Sequence, residues 1–399
     1  MNNKYVITTI TALLTVLLIY AGAKIFYPDT SSKSIKVGFV YIGDTVNAYT
    51  NNFYRAQTEL EDAFPNNVTV IAKYNISKSV CAEAMEDLIK SGCSMIVSTS
   101  LDFGKTTKKV AEKHPDVQFC QATGDNANTA PVLPNYHTFM GTIYEGRYVS
   151  GVVAGMKLAE LINKNKIKRS GAKVGYVAAF PIAEVISGYT AFFLGVRNIV
   201  PEAVMVVKYT NKWSSNIIER KCAEELIASG CVIISQHSDT TGPAIACEEA
   251  SVKQGKTVFH VGYNQSMTDV APTTSLISSR INWAPYIITA AEAVLKKKRI
   301  ESLLNAKVFG NDATAGFEQG WIEMIGLNRL IVADGSIEEI EQIKKQFKSG
   351  NCSVFKGNYV GTNPNNADDV WDLRKEFKEN ESRSTPTFCY VLNDVIAEE

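Results

Sequence analysis

Aromatic rings and hydrogen-bonding side chains recur just past the ends of short apolar runs in this chain. After residues 36–42 come Asp44, Asn47 and Tyr49, and after 94–98 comes Ser100. Past 173–178 stand Phe180 and Glu184, and past 204–209 stands Trp213. The run 231–236 ends on Gln236 and leads into His237 and Asp239, while later runs deliver Tyr263 and Asn264, then Arg280 and Trp283. Rings that stack, together with polar groups that read an edge, suit a flat neutral heterocycle better than a charged ligand. A phosphorylated ligand would call for a glycine-rich turn or clustered cations. Gly104-Lys105-Thr106 looks like the end of a phosphate loop, but Thr99 stands where its upstream glycine belongs.

Other chemistries fit less well. His237 and Asp239 could start a metal site or an acid-base couple, yet the chain has 4 histidines and the other three lie elsewhere in sequence. No nucleophile, base and orienting group recur at interpretable spacing, so neither catalysis nor a cofactor is expected. Several candidates also have ordinary structural explanations. Trp213 and Trp283 would serve as packing, Asp44 as a turn or cap residue, and Glu184 as an acid at a helix N-terminus.

The candidates gain force from the elements that must carry them. Residues 36–42, 68–74, 94–98, 117–122 and 136–140 read as strands, with helices predicted over 51–64, 80–90 and 105–113. The rhythm returns as strands at 173–178, 204–209, 231–236, 257–261 and 274–278, with helices over 185–199, 217–229 and 243–254. The words repeat as well. Cys81 to Ser98 and Cys222 to Ser235 each read as a helix, a Ser-Gly-Cys stop and a buried strand, and Lys36-Val-Gly-Phe-Val-Tyr returns as Lys173-Val-Gly-Tyr-Val-Ala. Two tandem α/β lobes with parallel sheets follow, and ligands of such sheets bind beyond the carboxyl ends of the strands. A longer helix over 144–162, with Gly146, Gly151 and Gly155, carries the chain into the second lobe, and another spans 284–298. The expected lobes are 35–143 with 281–308, and 144–280 with 309–399. Residues 305–316 read as short and extended, 337–347 as an amphipathic helix, and no element is assigned beyond 368.

With 41 basic and 41 acidic side chains the net charge is zero, so no general field would draw nucleic acid or an anionic membrane. Residues 5–23 form an apolar run between Lys4 and Lys24, followed by a polar spacer to residue 34. It is read as an uncleaved membrane anchor or a removed signal, and either places the rest outside the cytosol. No cysteine follows it to take a lipid. The 8 cysteines suit an oxidising compartment, although a helix separates Cys81 from Cys93 and Cys222 from Cys231 too widely for a disulfide. Glycan triplets occur at Asn67, Asn75, Asn264, Asn351 and Asn380.

Ordered motifs sharpen this picture. Ala178-Ala-Phe-Pro-Ile-Ala-Glu-Val-Ile-Ser-Gly-Tyr-Thr-Ala-Phe-Phe-Leu-Gly-Val-Arg197, Asn211-Lys-Trp213, Gln236-His-Ser-Asp239, Val261-Gly-Tyr263 and Asn282-Trp-Ala-Pro-Tyr286 resemble the basic membrane protein family, the PnrA-like purine nucleoside-binding lipoproteins. So does Tyr144-Glu-Gly-Arg-Tyr-Val-Ser-Gly-Val-Val-Ala-Gly155. The resemblance implies a type I periplasmic-binding-protein fold with two Rossmann-like lobes on a hinge, a purine base or nucleoside between them, and delivery to an ABC permease. It implies that Trp213 stacks on the base, that Asp44 reads its edge, and that the loops of Phe180, Gln236 and Tyr263 line the cleft. Two positions depart from the family pattern: Asn47 replaces a tryptophan, and Asn264 replaces the aspartate that holds ribose hydroxyls. The expected function is therefore an extracytoplasmic, membrane-anchored or secreted solute-binding protein, serving an ABC system or acting as a surface receptor. An adhesive ectodomain that has lost its ligand and a nucleoside hydrolase are the alternatives.

Overall fold

The computed structural model describes residues 34–398, so the anchor or signal expected at 5–23 lies outside the described residues. Among the described residues, no helix is long and apolar enough to cross a membrane. The first lobe begins β1 (Ile35–Val40), α1 (Ala48–Ala63), β2 (Val68–Lys73), α2 (Cys81–Lys90), β3 (Cys93–Ser98), α3 (Gly104–Lys113), β4 (Gln118–Ala122) and β5 (Tyr136–Gly141). Helix α4 (Ile143–Asn163) leads to β6 (Lys173–Ala178), α5 (Ala183–Ile199), β7 (Val204–Tyr209), α6 (Asn216–Ala228), β8 (Ile233–His237), α7 (Gly242–Gln254), β9 (Phe259–Tyr263) and β10 (Ser275–Ile281). Then come α8 (Ala284–Leu295), β11 (Lys307–Phe309), β12 (Asp312–Ala315), β13 (Ile322–Ile325) and α9 (Ser336–Lys348). The chain closes with β14 (Val360–Asn363), β15 (Asn366–Asp372), β16 (Val391–Leu392) and β17 (Val395–Glu398).

The repeated words fold into repeated topology. One sheet runs β11-β12-β5-β4-β3-β1-β2 and the other β13-β10-β9-β8-β6-β7-β17, so β4-β3-β1-β2 has its counterpart in β9-β8-β6-β7. Both quartets are parallel. The Ser-Gly stop works alike in both lobes, with Gly92 at φ 87° and Gly230 at φ 91° ending α2 and α6 in the left-handed region. Each following strand is then buried at once.

The chain crosses between the sheets after β5, after β10 and after β12, which builds a hinge from separate segments. Helix α8 returns to the first lobe, packing on α1, β1 and β3, whereas α4 packs on α5, β10 and β13 in the second. Glu145 ties two crossings together: Oε1 accepts from Thr142 Oγ at 2.8 Å and Oε2 from the Phe317 amide at 2.8 Å.

The lobe boundary expected at 308 does not match the strand pairing. Strand β12 pairs in parallel with β5, so the first sheet keeps the chain through Ala315. Gly310, at φ 61°, turns β11 back onto β12 and makes that return one hairpin instead of a lobe change. The unassigned tail is ordered too. Strands β15-β14-β16 form a small third sheet, and β17 lies parallel to β7 as the outer strand of the second sheet. All 8 cysteines are free thiols, six of them buried. Asn264 and Asn380 are also buried, which closes those two triplets to glycans.

Candidate binding cleft

A cavity of about 240 Å³ opens between the lobes, lined by the loops that follow the parallel strands. That is slightly below the roughly 300–1,000 Å³ usual for drug-sized ligands, so it suits a small one. The first lobe supplies Asn47, Tyr49, Ser100, Leu101, Asp102 and Thr123; the second supplies Glu184, Trp213, Ser214, His237, Asp239, Tyr263 and Asn264. Three carboxylates and no lysine or arginine are among the lining residues. The site therefore disfavours phosphate and other anions.

Local geometry explains how each side chain comes to face the cleft. Asn47 caps α1, its Oδ1 accepting from the Thr50 amide at 3.0 Å, and the Tyr49 hydroxyl donates to the Thr99 carbonyl at 2.6 Å. Burial pushes the Tyr49 phenol well above its ordinary value. Across the cleft, Phe180 meets Trp213 edge-on with ring centres 5.3 Å apart, and His237 packs against Tyr263 at 4.6 Å. His237 is 1% exposed and, among the described residues, neither ring nitrogen has a hydrogen-bond partner; Glu184 Oε1 stands 3.8 Å from Nε2. Burial, opposed by Glu184 and reinforced by Arg147, lowers its pKa and favours the neutral ring. Gly188 permits this approach, because a Cβ there would lie 2.6 Å from Nδ1.

Arg147 lies fully buried beneath this floor, donating to the Gly262 carbonyl at 3.2 Å and to the hydroxyls of Ser235 at 2.7 Å and Ser279 at 3.4 Å. The rings of Tyr176, Phe192 and Tyr263 surround its guanidinium at 5.3, 5.6 and 5.4 Å. Cation-π attraction, strongest where water is excluded, takes the place of a carboxylate partner.

The lobes touch at Asn264, which takes the left-handed conformation at φ 63°. Its carbonyl and Oδ1 accept from Asn52 Nδ2 on α1 at 2.9 and 3.3 Å, and its own Nδ2 donates to Asp239 Oδ1 at 2.9 Å. Burial raises the Asp239 carboxyl to about 7 against the hydrogen bond from Asn264, with Glu219 and Glu184 adding to the rise.

That shift has a sign. Asp239 is ordinarily near 3.8 and rises to about 7 in the fold, so between these values the folded chain holds a proton that the unfolded chain has released. Its contribution to stability falls as pH climbs through that window. Glu145, which burial also lifts to about 7, acts in the same direction. Asp239→Asn should therefore gain melting temperature relative to the unaltered protein between about pH 5 and about pH 8. Parallel melting curves that keep a constant gap would refute this assignment.

Five of the residues singled out from sequence stand away from the cavity lining. Asp44 is exposed, its Oδ1 accepting from the Val46 amide at 3.0 Å in a turn. Phe180 stands behind Trp213 as a ring wall. Gln236 is fully buried, with Nε2 donating to the Ser238 and Thr240 carbonyls at 2.9 and 2.8 Å and Oε1 meeting His260 Nε2 at 3.0 Å. Arg280 is held by Glu323 through Nε and Nη2 at 2.8 and 2.6 Å. Trp283 is 2% exposed and stacked on Phe53 at 4.4 Å, which makes it core. Asp44→Ala is accordingly expected to leave ligand affinity within about twofold, because exposed positions outside a contact set are energetically near neutral. A tenfold loss in a titration would place Asp44 back at the ligand.

Conversely, the strand-end reading does not single out Leu101, Thr123 or Ser214. Thr123 gave little warning: its place at the end of β4 is fixed by φ 57°, uncommon for a β-branched residue.

Comparison with known proteins agrees with this architecture. The description of the ABC transporter substrate-binding protein PnrA-like family matches residues 36–356. The chain belongs to that family. PnrA-like proteins are substrate-binding components of transporters that work outside the cytoplasm, not enzymes. A purine-binding protein of Brucella abortus is 28% identical over 329 residues, covering 82% of this chain and 85% of that one. A putative ABC transporter glucose-binding protein of Haloferax volcanii is 31% identical over 211 residues, 53% of this chain and 48% of its own. Among solved structures, a solute-binding protein from Conexibacter woesei superposes with a TM-score of 0.63 at 16% identity, covering 80% of this PnrA-like chain and 98% of that one. As a member of the family, the chain is a solute-binding protein of the ABC-transporter type.

Proposed function

We propose that this PnrA-like protein captures a purine base or nucleoside between its lobes and presents the closed form to a membrane permease or, as a surface receptor, to another partner. The observation that carries the reading is Trp213, an indole at the cleft beside Glu184, Asp239 and Asn264, with no cation among the lining residues. A flat base stacks on the indole while its N–H groups meet the carboxylates. The Brucella relative named as purine-binding supports it. Closure swings the first-lobe rim, Asn47, Tyr49 and Ser100, over the ligand, and the Asn52 to Asn264 bonds hold the lobes together. The apolar run at 5–23 would keep the protein at the membrane face, as an anchor or after export.

A sugar is the second reading, favoured by the name of the Haloferax relative. Thermal-shift measurements with purine bases, nucleosides and hexoses separate the two. At a hundredfold excess over Kd a ligand stabilises by about 2.7 kcal/mol. Purines should raise the melting temperature and hexoses should not; the reverse pattern would establish the sugar reading.

A further inference from the structure

We infer that Glu219, which lines no part of the cavity, is the positioning residue that holds the stacking ring and the polar loop of the second lobe in one geometry. This inference rests on the cleft being the ligand site. Glu219 projects from α6 and is fully buried. Its Oε1 accepts from the Ser215 amide at 2.8 Å; its Oε2 accepts from Ser238 Oγ at 2.7 Å, the Thr240 amide at 3.1 Å and Thr240 Oγ at 2.7 Å. Ser215 is two residues past Trp213, while Ser238 and Thr240 flank Asp239. The loops are also joined directly, the Asp239 amide donating to the Trp213 carbonyl at 2.9 Å. One carboxylate thus fastens both halves of the second-lobe wall.

Only an acid of this length does so. A carboxylate is acceptor on both oxygens, whereas glutamine has one acceptor oxygen and would turn an NH2 group toward donors. A buried donor left facing a donor loses its bond without regaining water. Neutralising Glu219 also removes a negative charge that raises Asp239, so the Asp239 titration should move down. Glu184 on α5 and Glu219 on α6 are the charged groups facing Asp239, with His237, Tyr49 and Tyr263 as further titratable neighbours at the cavity.

The test compares Glu219→Gln with the unaltered protein by purine titration and by acrylamide quenching of tryptophan fluorescence without ligand. The quenching difference is measured again in a Trp213→Phe background. The expected result is a loss of affinity of about tenfold or more, as one to two buried hydrogen bonds would give. Greater quenching should also appear, and vanish in the Trp213→Phe background. Affinity within twofold with unchanged quenching would overturn the inference, as would a lowered melting temperature alone. If Glu219→Gln does not fold, Ser238→Ala with Thr240→Ala removes two of the four donors to Glu219, the two hydroxyls, by a milder route and should show the same pair of effects. If no purine binds the unaltered protein, the ligand reading fails, while the quenching arm still decides whether Glu219 positions Trp213.

An independent observation carries a second inference: the chain continues beyond residue 356, where the family match ends, and one short stretch of that extension grips both lobes. Glu379 Oε2 accepts from Ser187 Oγ on α5 at 2.8 Å, in the second lobe. Five residues on, the Ser384 amide donates to Asp312 Oδ2 on β12 at 2.6 Å, and Lys307 Nζ on β11 donates to the Asn380 carbonyl at 2.7 Å, both in the first lobe. The stretch is stiffened from within by Asn380 Nδ2, which donates to the Arg383 and Ser384 carbonyls at 3.1 and 2.6 Å, and is braced from just beyond by Thr387 Oγ, which donates to Glu379 Oε1 at 2.6 Å. We propose that residues 379–384 are a clasp across the hinge that favours the lobe arrangement described here. Spin-label distances between exposed positions Glu59 and Lys253, taken without ligand, test it. Lys307→Ala and Ser187→Ala each remove one grip outside the cavity and should broaden the distribution toward longer distances, most in the double variant. Distributions that match the unaltered protein would overturn the clasp.

Discussion

Replacing Trp213 with alanine is expected to weaken purine binding by about 1–3 kcal/mol, on the scale measured for base stacking on aromatic side chains. In dissociation constants this is roughly five- to 150-fold. The size of the effect follows from the surroundings. Trp213 is half-buried, with Phe180 at its side and His237 6.5 Å away. Truncation therefore leaves a space that the neighbours cannot close, and the ligand loses its broad apolar contact while its polar edge contacts persist. Calorimetry checks the point directly, and Trp213→Phe should recover most of the loss. Equal affinity with and without the ring would move the ligand elsewhere in the cleft.

The second large effect concerns stability. Gly151→Ala is expected to destabilise the fold, although alanine is the better helix former by about 1 kcal/mol. A Cβ at Gly151 would lie 1.9 Å from the Phe192 carbonyl oxygen, and one at Gly195 would lie 2.3 Å from that of Tyr148. Backbone on α5 cannot step aside as a side chain would, so α4 and α5 must separate. Overpacking of this kind costs about 1–3 kcal/mol and occasionally more. The same pair positions the cleft floor, since α4 carries Arg147 and α5 carries Glu184 and Gly188. Affinity should therefore fall with stability. Gly171→Ala is the matched control, as none of the described residues lies within 4 Å of its added Cβ. Thermal melts showing equal midpoints for the two variants would contradict the close helix contact.

The sequence revealed the scaffold because its signals were local and doubled. The Ser-Gly stops at residues 91–92 and 229–230, the apolar runs and their alternation with helices depend on neighbours within a few positions. The terminal strand β17 was hidden for the opposite reason. Its four residues form a strand only by pairing with Met205 to Lys208, nearly two hundred positions earlier. The site shows the same division. Rule-based reading of strand ends reached Trp213, His237, Asp239 and Asn264, which do line the cavity. It could not separate them from Trp283, whose burial against Phe53 depends on α8 returning to the first lobe. Nor could it place Glu219 or Asn52, which act through side-chain bonds to loops distant in sequence.

The resemblance in motif order pointed to the right family, yet in the proposed function not every residue role carries over. Asp44 stands at the position expected to read a base edge but turns outward, and the acids that face the cavity are Asp102, Glu184 and Asp239. Edge recognition thus falls mainly to the second lobe, in the proposed function, on the wall that Trp213 shares. This arrangement is consistent with Asn47 in place of a ring on the first lobe, where it serves as the cap of α1.

In the proposed function the cleft holds a purine against Trp213. Mass spectrometry of small molecules released on denaturing the purified protein addresses it most directly, with the Trp213→Ala variant prepared in parallel. A purine base or nucleoside is expected from the unaltered protein, much reduced from the variant. A sugar, or a purine recovered equally from both, would contradict it.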